Sequence, residues 1–148
     1  MNDFDSAFQE AVSLFNQELF WEAIDIFKEM ESKFENSEST DDLHINIAVT
    51  YMMLGLYEEA EEYFLPVYRE ELGNGEFAGG GNNFGRTRSR AILGLIRICL
   101  AKGELDEAQS YFAELNNDDA SGLIENDTRI LFREIAKTEI GINENKNH

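Results

Sequence analysis

Cysteine, proline and basic residues are scarce in this chain, and each scarcity excludes something. Cys99 is the one cysteine, so no internal disulfide can form, which fits a reducing compartment such as the cytoplasm. Lys and Arg number 12 against 30 Asp and Glu, giving a formal net charge of −18. A field of that sign repels phosphates, so no nucleic acid and no anionic membrane is expected as a partner; basic or mixed-charge partners are. The longest apolar stretch, 91–101, is broken by Arg97 and is too short to span a bilayer. The opening MNDFDSAF has no basic segment and no long apolar run, so no secretory signal is expected there. His44 and His148 are the two histidines, and no nucleophile–His–acid ordering stands out around them. The carboxylates cluster as Glu58-Glu59, Glu61-Glu62 and Glu70-Glu71, which suits a solvated outer face and no metal-ligand spacing. No enzyme, cofactor or metal site is therefore expected. Cys99 has apolar helical neighbours and is expected in the core, not as a reactive thiol.

What is present in quantity is apolar area: 43% of residues, with eleven phenylalanines. That is enough for one folded domain, expected over 1–142, despite the charge. The apolar residues recur in a pattern. Tyr57, Ala60, Phe64 and Val67 are spaced three, four and three, and so share one helical face. The same spacing returns as Phe20, Ala23, Phe27, Met30 and as Leu105, Ala108, Phe112, Leu115. Glu22, Glu59 and Glu107 precede the three alanines, in keeping with a first turn facing the positive end of the helix dipole. Gly55 and Gly103 supply glycine just before two of these helices, where a left-handed helix end carries little strain; Glu18 holds that place in the first copy. An apolar helix is expected upstream of each copy, around Ala11, around Ala48 and around Ile96.

Helix, short turn, helix, recurring with a period in the thirties, resembles the tetratricopeptide repeat, TPR. The best unit spans about 41–72 and carries Ala48, Tyr51, then GLYEEA, then Phe64. No tryptophan opens a first helix and no proline closes a repeat. The alanine interval is 37 residues from Ala23 to Ala60 and 48 from Ala60 to Ala108. The resemblance implies an all-α, right-handed superhelical array of antiparallel helix pairs, about seven helices in all. The pairs are expected over 5–33, 41–71 and 87–115, with a capping helix over 126–140 and a polar, frayed tail over 143–148. Ser39 or Thr40 is expected to start the third helix. Pro66, inside the fourth, is expected to bend it or end it near Phe64. Trp21 is read as a packing residue.

By the same resemblance, the first helix of each pair lines a concave groove. The partner-binding positions are then Phe8, Val12 and Phe15, with Asp5 and Asn16 beside them. The second pair adds Ile45, Val49, Met52 and Met53, with Asp42. The third adds Arg90, Leu93 and Arg97, with Leu100 and Ala101. Some TPR domains grip a C-terminal carboxylate with a set of lysine, arginine and asparagine. Asn46 and Arg90 match two of those positions, but Phe8, Val12 and Gly94 fill the others, so that clamp is incomplete. Arg86, Arg90 and Arg97 fall on one helical face and are expected to meet a ligand carboxylate or the protein's own surplus acids.

Residues 73–86 hold six of the eleven glycines and read as a flexible loop insertion, since glycine this dense does not sustain a helix. Phe77 and Phe84 are its candidate anchors for a partner. The functional expectation is a non-enzymatic adaptor or scaffold that binds a protein or peptide segment, apolar or mixed in charge, in the groove. Two alternatives share the fold: a small acidic chaperone resembling those of bacterial secretion systems, and a self-assembling scaffold, hence a homo-oligomer.

Overall fold

The computed structural model of the chain describes residues 3–34, 40–73, 75–77, 81–117 and 120–146. Expectations for 35–39 of the connector, for 74 and 78–80 of the glycine-rich loop, for 118–119 and for 147–148 lie outside the described residues. Within them the helices are α1 (Asp3–Asn16), α2 (Phe20–Lys33), α3 (Thr40–Met53), α4 (Tyr57–Tyr68), α5 (Thr87–Ala101), α6 (Leu105–Leu115) and α7 (Phe132–Lys146). They pack as adjacent antiparallel pairs in an all-α repeat array.

The three helix-to-helix turns are built alike, down to single hydrogen bonds. Glu18, Gly55 and Gly103 all take a left-handed backbone, with φ of 63°, 77° and 77°. In each turn the next residue's N–H reaches back five residues, Leu19 to Leu14 O at 2.9 Å, Leu56 to Tyr51 O at 2.9 Å and Glu104 to Cys99 O at 2.8 Å. These bonds satisfy carbonyls that the helix end would otherwise orphan. The next helix then starts on the same beat: Ala23, Ala60 and Ala108 donate their N–H groups to Leu19, Leu56 and Glu104 at 3.0–3.1 Å. The three alanines are all 0% exposed, so each marks a point of closest helix approach.

Three buried clusters follow, each drawn from three successive helices. The first joins α1, α2 and α3 through Ala11, Phe27, Met30, Leu43 and Ile47. The second joins α3, α4 and α5 through Ala48, Phe64, Val67 and Leu95. The third joins α5, α6 and α7 through Ile96, Cys99, Leu115, Phe132 and Ala136. Phe27 and Phe64 are sealed, whereas Phe112 is only half-buried. Pro66 neither ends α4 at Phe64 nor removes more than one donor; the helix runs to Tyr68, and the carbonyl of Pro66 accepts the N–H of Glu71 in the closing turn. Trp21, expected to pack, is 59% exposed; its neighbour Phe20 takes the inner position against Phe15, with ring centroids 5.1 Å apart.

The C-terminal region departs from expectation. In place of one helix over 126–140, the strands β2 (Gly122–Glu125) and β3 (Thr128–Leu131) form an antiparallel hairpin before α7 begins at Phe132. The Asn126-Asp127 turn has φ of 51° and 63°, the doubly left-handed loop whose twist matches paired strands. At Gly122 any Cβ would lie 2.1 Å from the carbonyl oxygen of Ile130, so only glycine allows the strands this close. α7 then continues to Lys146 through most of the segment expected as a frayed tail.

The glycine-rich segment is also built into the fold. β1 (Asn83–Phe84) adds to the hairpin as an outer strand, pairing Asn83 with Leu123 and Phe84 with Gly122. Phe77 packs against both the second and third clusters, and Arg129 lies 4.2 Å over the Phe84 ring. The two phenylalanines therefore fasten the loop to its own protein.

Replacing Glu18 by Gly is expected to relieve left-handed strain and raise the melting temperature by about 2–4 °C. Gly94→Ala should do the reverse. Its Cβ would lie 2.2 Å from the ring of fully buried Phe64, and overpacking of this kind costs about 1–3 kcal/mol against a helix-propensity gain of about 1. Thermal and urea denaturation of both variants checks the pair.

Candidate binding groove

Between α1 and α3 lies an open cavity of about 1010 Å3. One wall is α1, whose Phe4, Phe8, Val12 and Phe15 turn their half-buried side chains toward it. Those residues lie on one helical face because they recur at three- and four-residue intervals. The facing wall is α3, with Ile45, Asn46 and Val49. Arg90 from the first turns of α5 and Phe77, Gly81, Asn82 and Asn83 from the glycine-rich segment complete the lining. Asp5 and Asp42 bring acidic side chains to the same cavity.

The glycine-rich wall is held by two small polar nodes. Asp41, 5% exposed in the first turn of α3, accepts hydrogen bonds from Thr87 Oγ1 at 3.1 Å and from the Gly75 N–H at 3.3 Å. Ser121 Oγ accepts the Arg86 N–H at 2.8 Å, while the Ser121 carbonyl accepts the N–H of Phe132 at 3.0 Å. One node ties the segment to α3 and α5, the other to the hairpin and α7.

Six of the ten positions singled out in the sequence line this cavity: Phe8, Val12, Phe15, Ile45, Val49 and Arg90. Ile45 contributes little surface, being 4% exposed. Four do not line it. Leu93 is 1% exposed and belongs to the third cluster, because α7 covers the face of α5 that was expected to be open. Arg97 is turned to α7, where its Nε donates to both carboxylate oxygens of Glu139 at 3.0 Å. Met52 packs on the second cluster, and Met53, 52% exposed, points outside the cavity lining. Sequence reasoning missed Phe77 and Asn82-Asn83 as lining residues, because a glycine-rich run carries no periodicity that would place it beside α1. It also set no role for Asp41.

Arg90 is electrostatically unusual. Its Nη1 is sealed from solvent and has no hydrogen-bond partner among the described residues. Burial pushes the guanidinium down to about 10, with the Arg97 charge adding to that and Glu139 opposing it. Glu139 is already engaged by Arg97 through both oxygens. Arg86, at the start of the same helix, pairs with Glu70. So two of the three arginines meet the protein's own acids, and Arg90 keeps a buried donor unfilled.

A second cavity, of about 470 Å3, is lined by Lys28, Glu31 and His44 among others. Its polar groups satisfy one another. Glu31 accepts from Lys28 at 2.7 Å and from the Tyr63 hydroxyl at 2.8 Å, Lys28 also bonds Tyr63, and His44 Nδ1 lies 3.1 Å from the Thr40 carbonyl. Burial raises the Glu31 carboxyl, but the hydrogen bonds from Lys28 and Tyr63 outweigh it and hold the group below the usual range. The cluster pins α2, α3 and α4 together. Cys99, Glu104 and Glu107 bring ligand atoms within 4.8 Å of one another. The thiol, however, is pushed up to about 11, by burial first and then by the neighbouring carboxylates, so it is no thiolate at neutral pH.

Residues 11–33, the end of α1 and all of α2, match the PPR repeat, a helical-repeat family related to TPR. This is a helical-repeat protein. The match points to a repeat-type binding module, for protein or RNA, and indicates no catalytic family. Among curated proteins none matches the chain.

Burial holds His44 below the ordinary histidine value of 6.5, against Glu31, Thr40 and Asp41, which favour its charged form. A histidine depressed on folding lends stability above pH 6.5 and withdraws it as the pH falls. Between about pH 7.5 and about pH 5, His44→Gln should therefore show a more favourable change in melting temperature than wild type. Identical pH profiles would assign no such role to His44.

Proposed function

We propose that this chain is a non-enzymatic protein-interaction module that holds a segment of a partner protein in the cavity between α1 and α3. The observation that carries the reading is the row Phe4, Phe8, Val12 and Phe15, left half-buried along the whole length of α1 and facing Val49 across an open cleft. Such a face costs free energy in water unless a ligand covers it, and an amphipathic helix or extended segment laid along α1 would do so. The acidic surroundings favour a segment that carries basic residues outside its apolar anchors. Adaptor and chaperone are two uses of the same groove. They differ in whether the partner remains soluble without this protein.

The PPR match favours a second reading, because helical repeats of that kind read single-stranded RNA one base per repeat. The charge of −18 opposes it, since phosphate contacts supply most of the affinity in such complexes and need Lys or Arg in register. Arg90 is the one basic residue in the cavity lining among the described residues.

The test is a display selection of random 12–15-residue peptides, followed by titration of the winners against wild type and Val49→Asp. Val49→Asp, with unchanged helical circular dichroism, should weaken binding at least about tenfold, the loss expected when a charge enters an apolar contact. Equal affinity for the two proteins would remove the groove as the binding surface. A labelled single-stranded RNA of about 20 nucleotides, at low salt, is expected not to bind; salt-dependent binding there would favour the second reading.

A further inference from the structure

We infer that Cys99, Glu104 and Glu107 form a site for one thiophilic divalent cation, with Zn2+ as the ion their donors fit, at the turn between α5 and α6. None of the three lines the groove, so the inference goes beyond the groove reading and does not depend on it. The thiol sulfur and one carboxylate oxygen from each glutamate lie within 4.8 Å of one another. Two neighbouring exposed acids alone would mean little, since such pairs are common on an acidic surface. The third member makes the difference. Cys99 is 5% exposed, its thiol makes no hydrogen bond among the described residues, and its sulfur is turned to those two carboxylates.

The turn itself assembles the set. The Glu104 N–H donates to the Cys99 carbonyl at 2.8 Å, which draws residue 104 back over residue 99. Glu107 follows in the first turn of α6, spaced to share a helical side with Glu104. Nor is the Glu104 carboxylate spent on capping, because α6 has no side-chain cap bond. The two sister turns make the same backbone bond, but it joins Leu19 to Leu14 and Leu56 to Tyr51. Glu22 and Glu59 stand there in the place of Glu107, without the other two ligands. One geometry therefore recurs, and the last copy fills it with a donor set.

A thiolate with two carboxylates suits Zn2+, which takes sulfur at about 2.3 Å and oxygen at about 2.0–2.2 Å and, with three protein ligands, keeps a water in the fourth place. Those lengths set tetrahedral donors about 3.4–3.6 Å apart, a closure that rotation of two exposed glutamate side chains can supply. Ca2+ and Mg2+ take oxygen ligands, and more of them, so the sulfur discriminates against both. On binding, the S–H bond of Cys99 breaks, the proton passes to solvent, and the freed electron pair on sulfur forms the metal–sulfur bond; nothing is oxidised or reduced. Lys102, close by in sequence, is held by Glu61 of α4 at 3.6 Å.

The test titrates the chelator-treated full chain with Zn2+ by calorimetry and with Cd2+ in the ultraviolet, where a cadmium–thiolate bond adds a charge-transfer band. A single equivalent of either ion is expected, with the thiolate band for Cd2+ and no displacement by excess Ca2+ or Mg2+. Glu104→Gln and Glu107→Gln, both at exposed positions, should each weaken Zn2+ binding at least about tenfold, and Cys99→Ala should abolish the band. Absence of the band from wild type overturns the inference, as does its loss to equimolar Ca2+. Equal Zn2+ affinity for wild type and the double Glu104→Gln, Glu107→Gln variant overturns it too, and assigns any bound ion to the surplus carboxylates elsewhere. Cys99 belongs to the third buried cluster, so if its replacement unfolds the chain, the two exposed glutamate positions still decide the case.

Discussion

Each helix pair in this array leaves an apolar face that its own two members cannot cover, and the next helix along the chain has to cover it. That requirement is visible in the three buried clusters, each of which takes residues from a pair and from the helix that follows. It explains why the alanines at the crossing points are sealed: a larger side chain at Ala23, Ala60 or Ala108 would hold the pair apart and open the cluster beyond it. It also explains α7. With Phe132, Ala136 and Ile140 buried, that helix covers the open face of the last pair, as the end of a stacked array demands. The opposite end has no such cover among the described residues, and Trp21 and Leu19 are exposed there.

The same requirement decides where a groove can exist. α5 sits mid-array with α3 and α4 on one side and α6 and α7 on the other, so residues 91–96 are buried without a break. Only its first turns, around Arg90, reach the open side. Among the described residues no helix packs on the second apolar face of α1, and its Phe4, Phe8, Val12 and Phe15 line the cleft. The open cavity is accordingly lined by α1, α3 and the start of α5, while Leu93 and Arg97 further along α5 turn to the third cluster and to α7. The glycine-rich segment then supplies what a third helix would have supplied elsewhere, a wall. It can do this because Asp41 and Ser121 hold its ends and β2 holds its outer strand.

Much of this was legible in the residues because helices announce themselves by period. The spacing through Ala23, Ala60 and Ala108 placed the start of the second helix of each pair to within a residue, though α4 ends at Tyr68 and not at residue 71, and Gly55 and Gly103 marked two of the turns. Glu18 showed that the first turn needs its backbone shape more than it needs glycine: the hydrogen bonds to Leu14 and Phe15 hold a strained residue in place. What escaped was everything set by contacts distant in sequence. The hairpin carried a local signal, Asn126-Asp127 between short β-branched runs, but Ile130, Leu131, Ile135 and Ala136 also fit a helical face, and the longer pattern prevailed. Phe77 and Phe84 read as anchors for a partner and instead anchor their own chain, because the buried clusters that take Phe77 and the Arg129 guanidinium over the Phe84 ring are assembled only by the fold. The fate of Arg97 was undecidable for the same reason, its partner Glu139 standing on a helix whose position only the fold reveals.

The protein's acidity gives Arg90 its meaning. In a chain with 30 carboxylates and 12 basic side chains, an arginine would be expected to find an acid, and Arg86, Arg88 and Arg97 all do. Arg88 reaches Glu114 at 2.8 Å and lies 4.6 Å from the Tyr68 ring centroid, a fully furnished site two residues before Arg90. A stranded donor in such surroundings is not a shortage of partners. It is a consequence of position: Arg90 stands on the wall of the cavity, and Glu139 is already held by Arg97 through both oxygens. Leaving that donor unfilled costs the folded chain free energy, because a buried N–H gives up its hydration and gains no acceptor in exchange.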